Sequence, residues 1–258
     1  MTGNVEPRVP SAAGEVPLVG GRVTSGVVRV GDTVRRPVTE ASSFVAELLG
    51  HLERRRFAGA PRYLGADGLG RDVFSYLPGW VPARFRPWSD RQVAAAGALL
   101  RGFHDATRDC GLVGRHSVIC HNDPGPNNAV FSGAGGVLVP VGLIDFDTAA
   151  PGEVLEDLGY MAWTWCVSSK YAGVSGVGRQ AAQVRLLADA YGLDADSRAG
   201  LVDALVERQE RNARWWRSRL TGAGDAGARR RTVERIDWSE RERAFTVAHR
   251  EVFAAALR

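Results

Sequence analysis

The chain has 258 residues and a formal net charge of +4, with 45% hydrophobic and 24% charged residues. Those proportions are of an ordinary globular protein, large enough for one sizeable domain or two modest ones, and they exclude a disordered or fibrous chain. No run approaches the eighteen or so apolar residues of a membrane span, and three cysteines (Cys110, Cys120, Cys166) with no CxxC or Cys/His cluster point to a reducing compartment and away from structural zinc.

Residues 1–16 read as a flexible leader without an apolar signal-peptide core, so a cytoplasmic protein is expected. The basic excess is nearly all arginine, Lys170 being the only lysine. The densest runs, Arg54–Arg56 and Arg229–Arg231, are interrupted nearby by Glu53, Asp225 and Glu234 and carry no aromatic ladder. They read as solvated surface, and no nucleic-acid or membrane partner is expected.

From Pro17 onward, LVGGRV, SGVVRV and TVRRPV read as β segments, with Gly31-Asp32 as a hairpin turn. A helix follows over about 40–56, its apolar residues Phe44, Val45, Leu48, Leu49 and Leu52 at helical spacing. RYLGADGLGRDVFSYL adds two strands around a glycine turn. Pro78 and further prolines mark a connection, with Ser89 or Asp90 as the next N-cap. Helices then dominate, over about 91–109, 154–168, 177–191, 197–220 and 239–257, with GAGDAGA at 222–228 as an interhelical loop. Short strands are expected in GGVLVPV and GLIDFD. The expected fold is a bilobal α+β protein: a β-rich N-lobe with one helix over 17–78 and a mainly helical C-lobe over 79–258, acting as one unit.

The segment CHNDPGPNNAVF, residues 120–131, cannot be helical, because Pro124 and Pro126 fix φ and remove donors around Gly125. It is a loop that holds His121, Asp123 and Asn128 in fixed directions. Seventeen residues after Asn128, the apolar run LIDFD ends in Asp145 and Asp147. Two carboxylates and an amide brought together offer hard oxygen ligands suited to Mg²⁺, a set that phosphoryl transfer from ATP requires. The same residue types also build plain turns, so the motif gains its meaning from the strand downstream and the β-lobe upstream.

HNDPGPNN followed by LIDFDTAAPG and EDLG resembles the aminoglycoside phosphotransferase and choline-kinase-like family, small-molecule relatives of protein kinases. The resemblance runs from about Leu18 past residue 165. It implies a protein-kinase-like fold with ATP, or GTP, and Mg²⁺ between the lobes and a hydroxyl-bearing small molecule as acceptor. It implies Asp123 as catalytic base, His121 as support for the loop, and Asn128 and Asp145 as metal ligands, with Asp147 assisting. Asp157, in EDLG, would brace the catalytic segment.

The chain departs from that family where the third strand normally carries a lysine. Thr33-Val34-Arg35-Arg36 places Arg36 there as the phosphate contact, with Val34 on the same face covering the adenine. Glu47 is the best candidate to pair with Arg36, with Glu40 or no partner as alternatives. Thr24 and Ser25, in the glycine turn Gly20–Gly26, are candidate phosphate contacts, and backbone groups of Ser75, Tyr76 and Leu77 are candidates for the adenine edge. His104, Cys120, Trp163 and Trp165 read as core. Trp215 and Trp216 read equally as core or acceptor-pocket wall. Residues 201–258 hold thirteen basic and nine acidic residues, so an acidic pocket for a polycation is not obvious, although Glu207 and Glu210 cluster locally. Two rival readings remain, a nucleotide-binding module without transfer and an interaction scaffold. The complete Asp123, Asn128 and Asp145 set weighs against both.

Overall fold

The computed structural model describes residues 14–18, 26–83, 85–133, 137–222 and 224–258. A five-stranded antiparallel sheet comes first, in the order β1-β2-β3-β5-β4. It is built from β1 (Glu15–Pro17), β2 (Val28–Val30), β3 (Thr33–Pro37), β4 (Tyr63–Ala66) and β5 (Arg71–Ser75). The β2–β3 hairpin turns at Gly31, where φ is +56°, the left-handed conformation that glycine adopts without strain. Helix α1 (Ser42–Arg54) packs with Val45, Leu48, Leu49 and Leu52 buried. The expected strand LVGGRV lies mostly outside the described residues, as do residues 1–13 of the expected leader.

The connection to the helical lobe is stitched to it. Trp80 and Phe131 exchange both backbone hydrogen bonds, at 2.9 and 2.8 Å. This close approach requires Gly79, because a Cβ there would lie 2.5 Å from the Phe131 carbonyl. Trp88, Phe131 and Trp165 then stack in succession, with centroids 5.1 and 5.8 Å apart.

Helix α2 (Asp90–Thr107) begins at Ser89 with a capping box closed by Gln92. Two small ribbons follow, β6 (Val118–Cys120) paired with β9 (Ala150–Gly152), and β7 (Ala129–Ser132) paired with β8 (Val139–Leu143). GGVLVPV and GLIDFD thus contribute one strand, not two, and the chain leaves it just before Asp145. Helix α3 (Val154–Met161) runs into a π-helical turn at Ala162–Cys166. The remaining helices are α4 (Ala172–Ser175), α5 (Val177–Tyr191), α6 (Ala195–Ala199), α7 (Leu201–Ser218), α8 (Ala226–Ala248) and α9 (Arg250–Leu257).

Helix α8 starts thirteen residues before the expected 239, N-capped by Asp225 inside the glycine-rich segment. Its first turns are AGARRRTVER, too polar to show an apolar stripe in the sequence. Gly159 lets α3 and α7 touch, since a Cβ there would lie 2.6 Å from Ala204 backbone atoms. One hydrophobic core runs through the molecule from α1 to α9, with Leu48, Leu100, Phe103, Phe131, Leu158, Val184, Leu205 and Phe253 all buried. No helix among the described residues is long and apolar enough to cross a membrane.

Candidate active site

The loop after β6 is fixed from four directions. Asp157 of α3, fully buried, accepts hydrogen bonds from the His121 amide at 2.6 Å, the Asn122 amide at 2.8 Å and His104 Nε2 at 3.1 Å. Burial alone would raise its pKa, but these bonds and the nearby histidines outweigh it and hold the carboxyl below the usual carboxylate range. Arg208 of α7 donates to the Asn122 carbonyl at 2.6 Å. Trp165 donates its indole N–H to the Pro124 carbonyl at 2.9 Å, and the Thr148 hydroxyl donates to the His121 carbonyl at 3.0 Å. Asn122 accordingly holds a left-handed backbone, with φ +65°.

His121 is buried against Phe146, ring centroids 4.7 Å apart, with Nε2 donating to the Ile144 carbonyl at 3.1 Å. That leaves Nδ1 as acceptor, 3.4 Å from the Asp123 amide. His121 therefore bonds backbone on both sides and positions the loop. Asp123 Oδ2 accepts from Asn128 Nδ2 at 2.8 Å, and Asn128 Oδ1 accepts from Asn127 at 3.1 Å. Burial raises the Asp123 pKa, against hydrogen bonds from Tyr160 and Asn128 and the charge of Arg208. A carboxylate so placed is a stronger base than one in water.

Asp145 opens the 3₁₀ turn Phe146–Thr148 with φ +67° and ψ +66°, a strained position for a residue with a Cβ. Its pKa is raised, first by the desolvation of the cleft and then by repulsion from Asp147, with Asp123 adding to it. Facing these acids is Arg36 of β3. Its Nη1 pairs with Asp147 and stands 3.9 Å from Asp145 Oδ1, while Nε is 3.8 Å from Asp72 Oδ2. The guanidinium also lies over the Phe74 ring, 4.9 Å from its centroid. Arg36 is buried, and its Nε and Nη2 have no hydrogen-bond partner among the described residues.

Neither Glu47 nor Glu40 pairs with Arg36; both are exposed on or before α1. The pairing acids are Asp147 and Asp72, the latter directly opposite Arg36 across the β3–β5 ladder. Helix α1 contributes Ser42 instead, whose hydroxyl donates to Asp72 Oδ2 at 2.5 Å, while Tyr63 donates to Oδ1 at 3.3 Å. Alternation along GRDVFS, combined with the hairpin register, is the signal that could have found Asp72.

Val34 is half-buried on β3. The amides of Ser75 and Tyr76 are taken by the Arg62 and Asp32 carbonyls at 2.9 and 2.8 Å, so Leu77 alone of the three keeps an unoccupied amide among the described residues. Thr24 and Ser25 lie outside the described residues. His104, expected as core, is fully buried and also links Asp157 to the Tyr191 hydroxyl, 2.9 Å from Nδ1. Cys120 is buried, and desolvation pushes its thiol pKa far up, leaving it inert.

Trp163 and Trp165 line a cavity of about 700 Å³ beside the loop; Trp215 and Trp216 do not, and Trp238 does. Glu207 and Glu210 are paired with Arg211 and Arg214. Sequence reasoning missed Tyr160 and Arg208, which reach the loop from the helices without any local motif.

The model of a family described as "Phosphotransferase enzyme family", APH, matches residues 114–201, the span holding the loop, Asp145 and Asp157. The trifolitoxin immunity protein of Rhizobium leguminosarum bv. trifolii is 33% identical over 268 residues, covering 94% of this chain and 98% of that protein. A choline/ethanolamine kinase family protein from Mesorhizobium loti has an 18% identical structure with a TM-score of 0.58, covering 93% of this chain and 91% of its own. A mutant aminoglycoside 2'-phosphotransferase-IIIa in complex with GDP, 14% identical, reaches a TM-score of 0.54 over 93% of both chains. The two solved structures share the bilobal protein-kinase-like fold seen here. With that fold, the family match across the loop and a relative 33% identical over nearly its whole length, the chain belongs to the APH phosphotransferase enzyme family.

Proposed function

We propose that this protein transfers the γ-phosphoryl group of a nucleoside triphosphate to a hydroxyl of a small molecule. The observation that carries this reading is the convergence of Asp123, Asn128, Asp145, Asp147 and Arg36 on one cleft. The acceptor oxygen bonds to the γ-phosphorus as the β,γ-bridging P–O bond breaks. The hydroxyl proton passes to Asp123, and the nucleoside diphosphate leaves with the electron pair of the broken bond. Asn128 fixes the Asp123 carboxylate, and His121 fixes the loop, so most of the catalysis is positioning and charge.

The cleft suits a hard divalent cation. Its donors are carboxylate and amide oxygens, and the Asp145 pKa is raised by desolvation and, after that, by repulsion from Asp147 and Asp123, a charge excess that a cation would relieve. Asn128 and Asp145, with Asp147 assisting, would hold Mg²⁺, which when bound neutralises and aligns the phosphates. Arg36, with two buried nitrogens lacking partners, is placed to donate to phosphate oxygens. Val34 covers the base and the Leu77 amide meets its edge, while Thr24 and Ser25, outside the described residues, are proposed from the sequence as phosphate contacts. ATP and GTP are both reasonable donors, because one relative of this fold binds GDP. The relative that confers trifolitoxin immunity favours an antibiotic or toxin as acceptor over a housekeeping metabolite. Residues 17–78 form the nucleotide lobe and 79–258 the catalytic lobe of one cytoplasmic enzyme.

A Mg²⁺-dependent transfer assay with ATP and GTP across antibiotics, sugars and amino alcohols tests this, with Asp123→Asn as control. The variant should lose about 10²–10⁴-fold in kcat while its Tm rises, since it removes a buried carboxylate with a raised pKa. Transfer that survives Asp123→Asn overturns the base assignment. The binding-only reading draws on Arg36, whose guanidinium is already engaged by Asp147. It predicts wild-type nucleotide binding without turnover on any acceptor.

A further inference from the structure

The cavity of about 700 Å³ lies in the helical lobe, within the usual size range of small-molecule sites. Resting on the phosphotransferase reading, it is where an acceptor would sit. Its inner wall is the π-helical turn Ala162–Cys166, whose Trp165 is hydrogen-bonded to the catalytic loop at Pro124. Trp163, in the same turn, stands edge-on to Tyr160, whose hydroxyl reaches Asp123. The cavity wall is thus one side chain away from the proposed base.

That wall is flat and aromatic. Trp163 and Trp238 stack at 4.4 Å between centroids, Phe85 adds to Trp238 at 5.8 Å, and Tyr171 and Phe245 complete the lining. The charges are mostly of one sign. Arg86, Lys170 and Arg241 line the cavity, are exposed, and form no ion pair among the described residues. The single carboxylate in the lining, Glu242, is buried and turned inward, where its two oxygens accept from the Ser169 amide at 2.8 Å and the Ser169 hydroxyl at 2.6 Å. The buried indole N–H of Trp163 has no acceptor among the described residues. A polycation would meet three positive charges and no available carboxylate. A flat anion would meet aromatic surface and cations.

We infer that the acceptor is a planar, aromatic, hydroxyl-bearing molecule that carries an acidic group, and not a polyamine. Its hydroxyl receives the phosphoryl group as described above, the proton going to Asp123. Trp238, backed by the buried Trp163, presents the stacking surface with Phe85 and Tyr171 beside it, and Arg241 and Lys170 supply the charge that selects the anion.

Calorimetric titration of the full chain, without nucleotide, with hydroxynaphthoate, naphthol and kanamycin reads this directly. Hydroxynaphthoate should bind about tenfold more tightly than naphthol, one charge contact being worth about that factor, and kanamycin should bind weakest. Arg241→Glu, an exposed change that should fold, should abolish or reverse the preference for the anion and leave naphthol binding unchanged. Trp238→Ala should weaken both naphthyl compounds, and Trp238→Phe should restore most of that loss. Kanamycin binding as tightly as hydroxynaphthoate, an unaltered preference in Arg241→Glu, or no binding of either naphthyl probe overturns the inference. A parallel Mg-nucleotide titration separates the two readings. If nucleotide binds and the naphthyl probes do not, the cavity inference fails alone. If the probes bind and nucleotide does not, the phosphotransferase reading fails, and the cavity's ligand chemistry survives as that of a binding site.

Discussion

On the catalytic-loop side of the cleft, Asp157, Arg208, Trp165 and Thr148 each satisfy a backbone group of residues 121–124. On the β3 side, Arg36 is held among three carboxylates and keeps two buried nitrogens unpartnered. One wall is finished by the protein itself. The other is held by charge and leaves buried donors open. The loop geometry is therefore built in by folding, while on the proposed reading nucleotide affinity would rest on a basic group whose buried donors a phosphate would satisfy.

Removing Asp157 is the severest way to break that contrast. Asp157→Ala leaves two amides and His104 without their acceptor, and unfolding by denaturant should show a loss of about 3–5 kcal/mol. The pH dependence of stability should carry both walls. Asp157, with a depressed folded pKa, contributes stability present above the ordinary carboxylate range and lost as pH falls through its folded value. Asp123 and Asp145, with raised folded pKa values, act oppositely: stability falls as pH rises through those values. Tm should therefore pass through a maximum as pH rises, and Asp123→Asn should flatten the descending limb.

An intermediate effect is expected at Arg36. Arg36→Ala should weaken Mg-nucleotide binding roughly 10–100-fold, the equivalent of one or two charge-assisted hydrogen bonds. Arg36→Lys should recover part of this, keeping the charge but losing the fork. Titration with a fluorescent nucleotide measures both, and unchanged affinity in Arg36→Ala would remove Arg36 from the phosphate site. The smallest effect is expected for Ser42→Ala, which takes one donor from Asp72 and should cost about 1–2 kcal/mol of stability while nucleotide affinity drops only severalfold.

Much of this site was legible in the sequence because its chemistry is local. Prolines around Asp123 forbid a helix, and alternation in TVRRP places Val34 and Arg36 on one face. The bracing of the loop was legible only at His121 and Asp157. Arg208, Trp165 and Tyr160 reach it through helix packing, and nothing in their neighbourhoods marks them. The partner of Arg36 was misread for the same reason, since Asp72 acts across a strand pair and α1 offers Ser42 where a glutamate was expected. The early turns of α8 were missed because an Arg-rich segment has no apolar period, although they lead into Trp238 and the cavity.

Lys170 stands at the mouth of that cavity and is the only lysine of the chain. Arginine resists acylation, so an amine-selective reagent finds one side chain to modify, and that side chain lines the cavity inferred to hold the acceptor. The composition that looked at first like a bare arginine excess thus gives the protein a built-in reporter. Protection of Lys170 from acylation, followed by mass spectrometry, would reveal occupancy of the cavity by any compound, without a radiolabel, an engineered tag or knowledge of the reaction.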